Sequence, residues 1–177
     1  MTASTKALLI IIAIAAFGVG FFVHSEQSQL PAAGSVDSSA LLSAQLLTGV
    51  DETTSEVVSN QLRDLNLVNF WASWCAPCRE EMPMFESMFQ LHQHTGFQVI
   101  GIAIDHPDNT QAMLDSMGIT YPILYAEQTG MTLMDGLGNR IGGLPFTLLI
   151  NKQGEVLEQK LGQVHEEDIT NWIQAHL

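Results

Sequence analysis

Asn69-Phe70-Trp71-Ala72-Ser73-Trp74-Cys75-Ala76-Pro77-Cys78-Arg79-Glu80-Glu81-Met82-Pro83 is the stretch whose reading decides the fold. It holds both cysteines of the chain and two of its three tryptophans. The apolar run Leu65 to Trp71 leads into it and reads as a buried strand. Met82, Phe85, Met88, Phe89 and His92 follow at spacings of three and four, which predicts a helix over Arg79 to Gln93. Pro83 lies inside that helix and should kink it. Cys-x-x-Cys between strand and helix puts two sulfurs at a helix start. Unsatisfied amides and the positive end of the helix dipole favour a thiolate there. Such a thiolate can titrate well below the ~8.5 of a free thiol and act as a nucleophile near neutral pH.

Downstream, strands and helices alternate. Val99 to Ile104 reads as a second buried strand, Asn109 to Met117 as a helix closed by Gly118, and Pro122 to Tyr125 as a short strand. A glycine-interrupted helix is expected over Thr129 to Leu137. Phe146 to Ile150 and Glu155 to Leu161 form a hairpin across Asn151-Lys152-Gln153-Gly154, and Glu166 to His176 is a closing helix. This order predicts an α/β domain with a mixed central sheet and flanking helices.

Upstream the signals are weaker. Val57 to Asp64 reads as a short helix, and Ala40 to Val50 has a period that fits either a helix or a strand. Residues 25–40 are rich in Ser, Gln, Ala, Gly and Pro and read as a flexible linker. Ala7 to Val23 is continuously apolar or small; as a helix it spans roughly 26 Å, just short of a bilayer core. Lys6 precedes it and Glu26 follows, which orients the N-terminus to the cytoplasm and the rest outside. With no good cleavage site after it, an uncleaved anchor over residues 1–24 is preferred to a signal peptide. The expected organisation is therefore anchor 1–24, linker 25–40 and folded domain 41–177, in the periplasm or an equivalent extracytoplasmic space.

Composition narrows the chemistry. The net charge of −13, from 6 Lys+Arg against 19 Asp+Glu, argues against nucleic acid. Two cysteines cannot build a disulfide scaffold, and a second ligand pair for structural zinc is missing. Met82, Met84 and Met88 with His92 and His94 invite a copper reading, but methionine is the ordinary gap-filler of cores. No metal is expected.

The stretch quoted above resembles the TlpA/ResA type of thioredoxin-fold protein, membrane-tethered thiol–disulfide oxidoreductases. The resemblance covers roughly Leu62 to Leu177. A second patch carries it as well: Gly142-Gly143-Leu144-Pro145-Phe146-Thr147 lies before a predicted strand, where that fold places a cis-proline loop. Val99 to Gly138, with Gly-Ile-Ala-Ile-Asp and Tyr-Pro-Ile-Leu, is similar to the strand-and-helix insertion that separates this type from plain thioredoxin.

The resemblance implies that Cys75 is the attacking thiolate and Cys78 the buried resolving thiol. It implies a cis Leu144–Pro145 bond packed against the disulfide, with Trp74, Leu144 and Pro145 meeting the substrate. It places Glu81 where the family often has an acid that tunes the cysteines; on the residues alone, a solvated first-turn carboxylate fits Glu81 nearly as well. Asn69 replaces the buried aspartate of plain thioredoxin, and Phe146 stands where the haem-pathway branch often has an acid. The only cofactor implied is the redox-active cysteine pair. The partners implied are a client protein with a disulfide and a membrane-embedded electron donor. Cytochrome c maturation and copper-site assembly are the pathways implied for the client. A metal-binding or copper-chaperone module with the cysteines as ligands is an alternative, as is a disulfide-forming oxidase or isomerase.

Overall fold

Strand β3 (Leu65–Trp71) runs through the middle of the molecule, and all seven of its residues are buried. A strand covered on both faces needs no polar alternation, which is why Leu-Asn-Leu-Val-Asn-Phe-Trp lacks it. The computed structural model describes residues 30–48, 54–92 and 94–176. The expected anchor over residues 1–24 lies outside these. Among the described residues no helix is long and apolar enough to cross a membrane.

β3 pairs parallel with β4 (Phe97–Ala103) and antiparallel with β6 (Phe146–Asn151). Parallel β5 (Ile123–Tyr125) flanks β4, and antiparallel β7 (Val156–Leu161) flanks β6. Two three-residue strands, β1 (Gln45–Leu47) and β2 (Ser55–Val57), complete the order β2-β1-β5-β4-β3-β6-β7. The sheet is mixed, as the alternation of elements led us to expect.

Helices α1 (Ser39–Ser43), α2 (Ala76–His92), α3 (Pro107–Met117), α4 (Glu127–Gly136) and α5 (Glu166–His176) cover both faces. On one face Met82, Phe85 and Met88 of α2, with Ile169 and Ile173 of α5, pack on Leu65, Leu67 and Trp71. On the other, Leu41 of α1 and Met134 of α4 pack on Val68, Phe70 and Phe146. Phe70 and Phe146 stack at 5.9 Å across the β3–β6 pairing. Met82 and Met88 are thus core residues.

Several boundaries move. Helix α2 starts at Ala76 rather than Arg79, because the Arg79 N–H already bonds the Cys75 carbonyl at 3.2 Å. Pro77 then falls in the first turn, where a missing N–H costs nothing. β4 starts at Phe97, paired with Leu65. Of the stretch Ala40 to Val50, the described residues 40–48 hold the end of α1 followed by β1, and the helix expected over Val57 to Asp64 shrinks to a 3-10 turn, Val58–Gln61. Residues 30–40, assigned to the linker, lie on the domain. Leu30 and Val36 pack against the second core, Gln159 Nε2 donates to the Pro31 carbonyl, and Ser38 Oγ donates to the Gly154 carbonyl at 2.5 Å.

Gly101, opposite Asn69 in β4, is a packing requirement. A Cβ there would come within 2.6 Å of Ile123 Cδ1 and 3.1 Å of Trp71 Nε1. Gly101→Val should therefore cost about 1–3 kcal/mol through overpacking. Urea unfolding of the variant would measure this, and an unchanged midpoint would contradict it.

Candidate active site

Cys75 and Cys78 form a disulfide with Cα atoms 5.3 Å apart. β3 delivers the chain to the Ala72–Trp74 turn, and α2 begins one residue after Cys75. Cys75 occupies the cap position of α2. Its carbonyl accepts from Arg79, and its Sγ accepts from the Cys78 N–H at 3.4 Å. The sulfur thus stands in for the oxygen of an ordinary N-cap side chain. Cys78, one turn in, is fully buried, whereas Cys75 keeps 6% exposure beneath the open edge of the site. The neighbouring Trp74 is 70% exposed, while Trp71 is in the core. The turn is pinned from β4's end: the Asp105 carboxylate accepts from the Ser73 N–H at 3.3 Å and from Ser73 Oγ.

The second arm of the site comes from the loop before β6. The Leu144–Pro145 bond is cis. The Pro145 carbonyl accepts from the Gly162 N–H at 2.8 Å, which ties the loop to the end of β7. Leu144 is half-buried and packs on both cores. Asn139 holds the approach to it. Its side chain is buried; its Nδ2 donates to the Gly143 carbonyl at 2.8 Å and its Oδ1 accepts from the Gly143 N–H at 3.2 Å.

Glu81 lies three residues past Cys78 and therefore on the same side of α2. It is 1% exposed, so it is not the solvated first-turn carboxylate that its position in the sequence also allowed. Asn69 Nδ2 donates to Oε1 at 2.9 Å, and the Val164 N–H donates to Oε2 at 2.9 Å. Asn69 Nδ2 also reaches Thr147 Oγ1 at 3.0 Å. Burial pushes the Glu81 carboxyl up to about 7, against the lowering pull of Val164, Asn69 and Lys160. A group with that value can take or release a proton at neutral pH.

Cys75, Cys78, Glu81, Leu144 and Pro145 arrive from α2 and the pre-β6 loop, with Trp74 at the exposed rim. Sequence reasoning missed Asn139, Asp105 and Val164 as supports. Asn139 carried a weak signal, a turn-forming residue four before Gly143. Val164 carried none, because it contributes only a backbone N–H. Among the described residues no group of three or more His, Cys, Asp or Glu could hold a metal ion.

The Glu81 value has a consequence for stability. The folded-state value lies above the ordinary 4.5, so its contribution is complete below pH 4.5 and is lost as the pH rises to about 7. Replacing Glu81 with Gln removes this titration. Between pH 4 and 7.5 wild type should lose about 3 kcal/mol relative to Glu81→Gln. Denaturant titrations of both proteins across that range test this; parallel curves would rule it out.

The site can be set beside known proteins. The sequence profile of the AhpC/TSA family matches residues 42–159, a stretch that contains Cys75, Cys78, Glu81 and Pro145. The chain is 31% identical over 121 residues to thiol-disulfide oxidoreductase ResA of Halalkalibacterium halodurans, covering 66% of this chain and 66% of that protein. It is 37% identical over 115 residues to thiol:disulfide interchange protein HelX of Rhodobacter capsulatus, covering 63% and 61%. It thus spans less than two thirds of the length of these curated relatives. The crystal structure of a thioredoxin-related protein from Neisseria meningitidis serogroup B superposes with a TM-score of 0.64 at 29% identity, over 73% of this chain and 96% of that one. The profile match takes in more than half of the sequence, and the superposition shows its thioredoxin-like fold: the chain belongs to the AhpC/TSA family.

Proposed function

We propose that the protein is a thiol–disulfide oxidoreductase that reduces disulfides in client proteins outside the cytoplasmic membrane. The observation that carries this is the asymmetry of the pair. Cys75 sits at a helix start and keeps 6% exposure, while Cys78 is fully buried with a buried carboxyl on the same side of α2. A structural disulfide has no use for that arrangement. The likeness to ResA and HelX, whose names describe disulfide exchange, supports the same chemistry.

In the reduced form the Cys75 thiolate attacks one sulfur of the client disulfide. The client bond breaks, a Cys75–client bond forms, and the departing client sulfur takes a proton from solvent. Cys78 then gives its proton to Glu81 and attacks Cys75 Sγ. The second client sulfur leaves as a thiol after protonation, and the Cys75–Cys78 bond re-forms. Two electrons have passed to the client. A membrane-embedded dithiol donor returns two electrons and two protons to restore the pair. Trp74, Leu144 and Pro145 form the contact surface, and the chain around the cis proline offers an extended client segment a backbone edge to pair with. Residues 1–24 tether the domain and residues 25–29 join it to the tether. The clients in view are proteins whose cysteine pairs must be reduced before haem or copper is inserted.

The Cys78→Ala protein should accumulate client–Cys75 mixed disulfides, recovered by non-reducing electrophoresis from the native envelope, and Cys75→Ala should accumulate none. Equal capture by both variants, or by neither, would defeat the proposal. In single-turnover reduction of a disulfide peptide, Glu81→Gln should slow the resolving step about 10²-fold and abolish its rise with pH near neutrality.

A further inference from the structure

A pocket of about 310 Å³, lined by Ile104, Asp105, His106, Glu127, Gln128 and Met131, lies at the end of the sheet that carries the cysteine turn. Its place follows from the sheet. β3, β4 and β5 are parallel, so the turn carrying Cys75, the loop after β4 and the start of α4 emerge at the same end. One wall is bonded to the cysteine turn. The Ile104 N–H donates to the Trp71 carbonyl at 2.8 Å, and Asp105 holds Ser73. The opposite wall touches the proline loop. Gly142 has φ +64°, and a Cβ on it would fall 2.3 Å from Met131 Cε. Met131 thus spans from the pocket to the segment that leads into Leu144–Pro145. With Trp74 and Ile141 it makes up most of the large apolar surface exposed among the described residues.

Ile104 and Met131 give the lining apolar walls, Asp105 and Glu127 give carboxylates, His106 an imidazole and Gln128 an amide, and no lysine or arginine lines it. Burial works against the Asp105 carboxylate, yet bonds from Ser73, Asn109 and the His106 N–H outweigh it and hold the group below its ordinary range. Those same bonds engage both Asp105 oxygens. Glu127 is differently placed. Its side chain is 41% exposed, and its charged contact is a long one, an ion-pair approach of 4.0 Å between Oε1 and His106 Nε2. Its φ of +43° is a conformation that residues other than glycine rarely adopt.

We infer that this pocket is a specificity subsite for a lysine or arginine of the client segment, its alkyl stem lying on Ile104 and Met131 and its charged end meeting Glu127. The assignment rests on the exchange activity proposed above. An aliphatic stem with a cationic tip is the side chain that satisfies apolar walls and a carboxylate rim together. The net charge of −13 draws such segments toward the protein. Bound in this way, the residue would sit between the two arms of the site while the client cysteine lies at Cys75.

The test uses a set of peptides, each with one intramolecular disulfide, in which lysine or glutamate is placed in turn at the four positions on either side of the first cysteine. The fully reduced full-length protein is mixed with each, and kcat/KM is read from thiol release. At one position the lysine peptide should react about fivefold faster than its glutamate partner, with the gap closing at high salt. Glu127→Lys should reverse that preference, the glutamate peptide now reacting faster than the lysine peptide at that position. Equal rates for lysine and glutamate at all positions, or an unchanged preference in Glu127→Lys, overturn the subsite and leave the exchange activity standing. Failure to reduce any peptide overturns both.

Discussion

The Glu81 carboxylate is the interaction on which the site depends. One oxygen is held by Asn69 on β3 and the other by the backbone N–H of Val164, beyond β7. Helix α2 is thereby fixed at once to the centre of the sheet and to its far edge. Burying a carboxyl costs free energy, and two hydrogen bonds offset only part of it. The remainder appears as the upward displacement of its proton affinity to about 7. A group buried for packing alone would have been better as an amide. The cost is what the proton-transfer role proposed for Glu81 would account for.

The neighbours of Glu81 suit that task. Asn69 Nδ2 serves both Glu81 and Thr147, and its Oδ1 is buried without a protein partner. An amide can face an ionised carboxyl with its N–H₂ and a protonated one with its oxygen after a half turn. Thr147, with a rotatable hydroxyl, accepts from the first and donates to the second. An aspartate at position 69 would add a second buried negative charge. Asparagine leaves one titrating group in the cluster, so the proton affinity belongs to Glu81 rather than to a coupled pair.

How far this was legible in the sequence depended on where each signal resides. β3 could be read to the residue, because seven successive buried positions leave a continuous record. α5 was equally clear from Glu166 to His176. β1 and β2 were not, since three-residue strands are held by pairing to each other and to Tyr125 rather than by their own pattern. The start of α2 was hidden because Ala76-Pro77 carries no helical period; the turn is closed by the Cys75 carbonyl and sulfur. At the site, Cys75 and Cys78 announced themselves by type and spacing, whereas Pro145 was implied by the family resemblance alone. The burial of Glu81 could not be read, because the N–H that covers it belongs to Val164, 83 residues away.

The two arms of the site also differ in what they constrain. The cysteine turn is fixed by groups at the ends of parallel strands: the Cys75 carbonyl in α2, the Asp105 carboxylate after β4 and the Ile104 N–H on Trp71. Its geometry is set by the sheet and leaves little freedom for recognition. The proline arm is held by Asn139 and Gly162 and is touched by Met131 of α4. α4 follows β5, and both belong to the segment between β4 and β6. Changes there can reshape the surface beside the sulfurs without disturbing β3, α2 or Glu81. With the exchange activity and the subsite proposed above, chemistry and selectivity occupy separate elements, and the same redox pair would be presented to different clients by altering residues such as Glu127 and Met131.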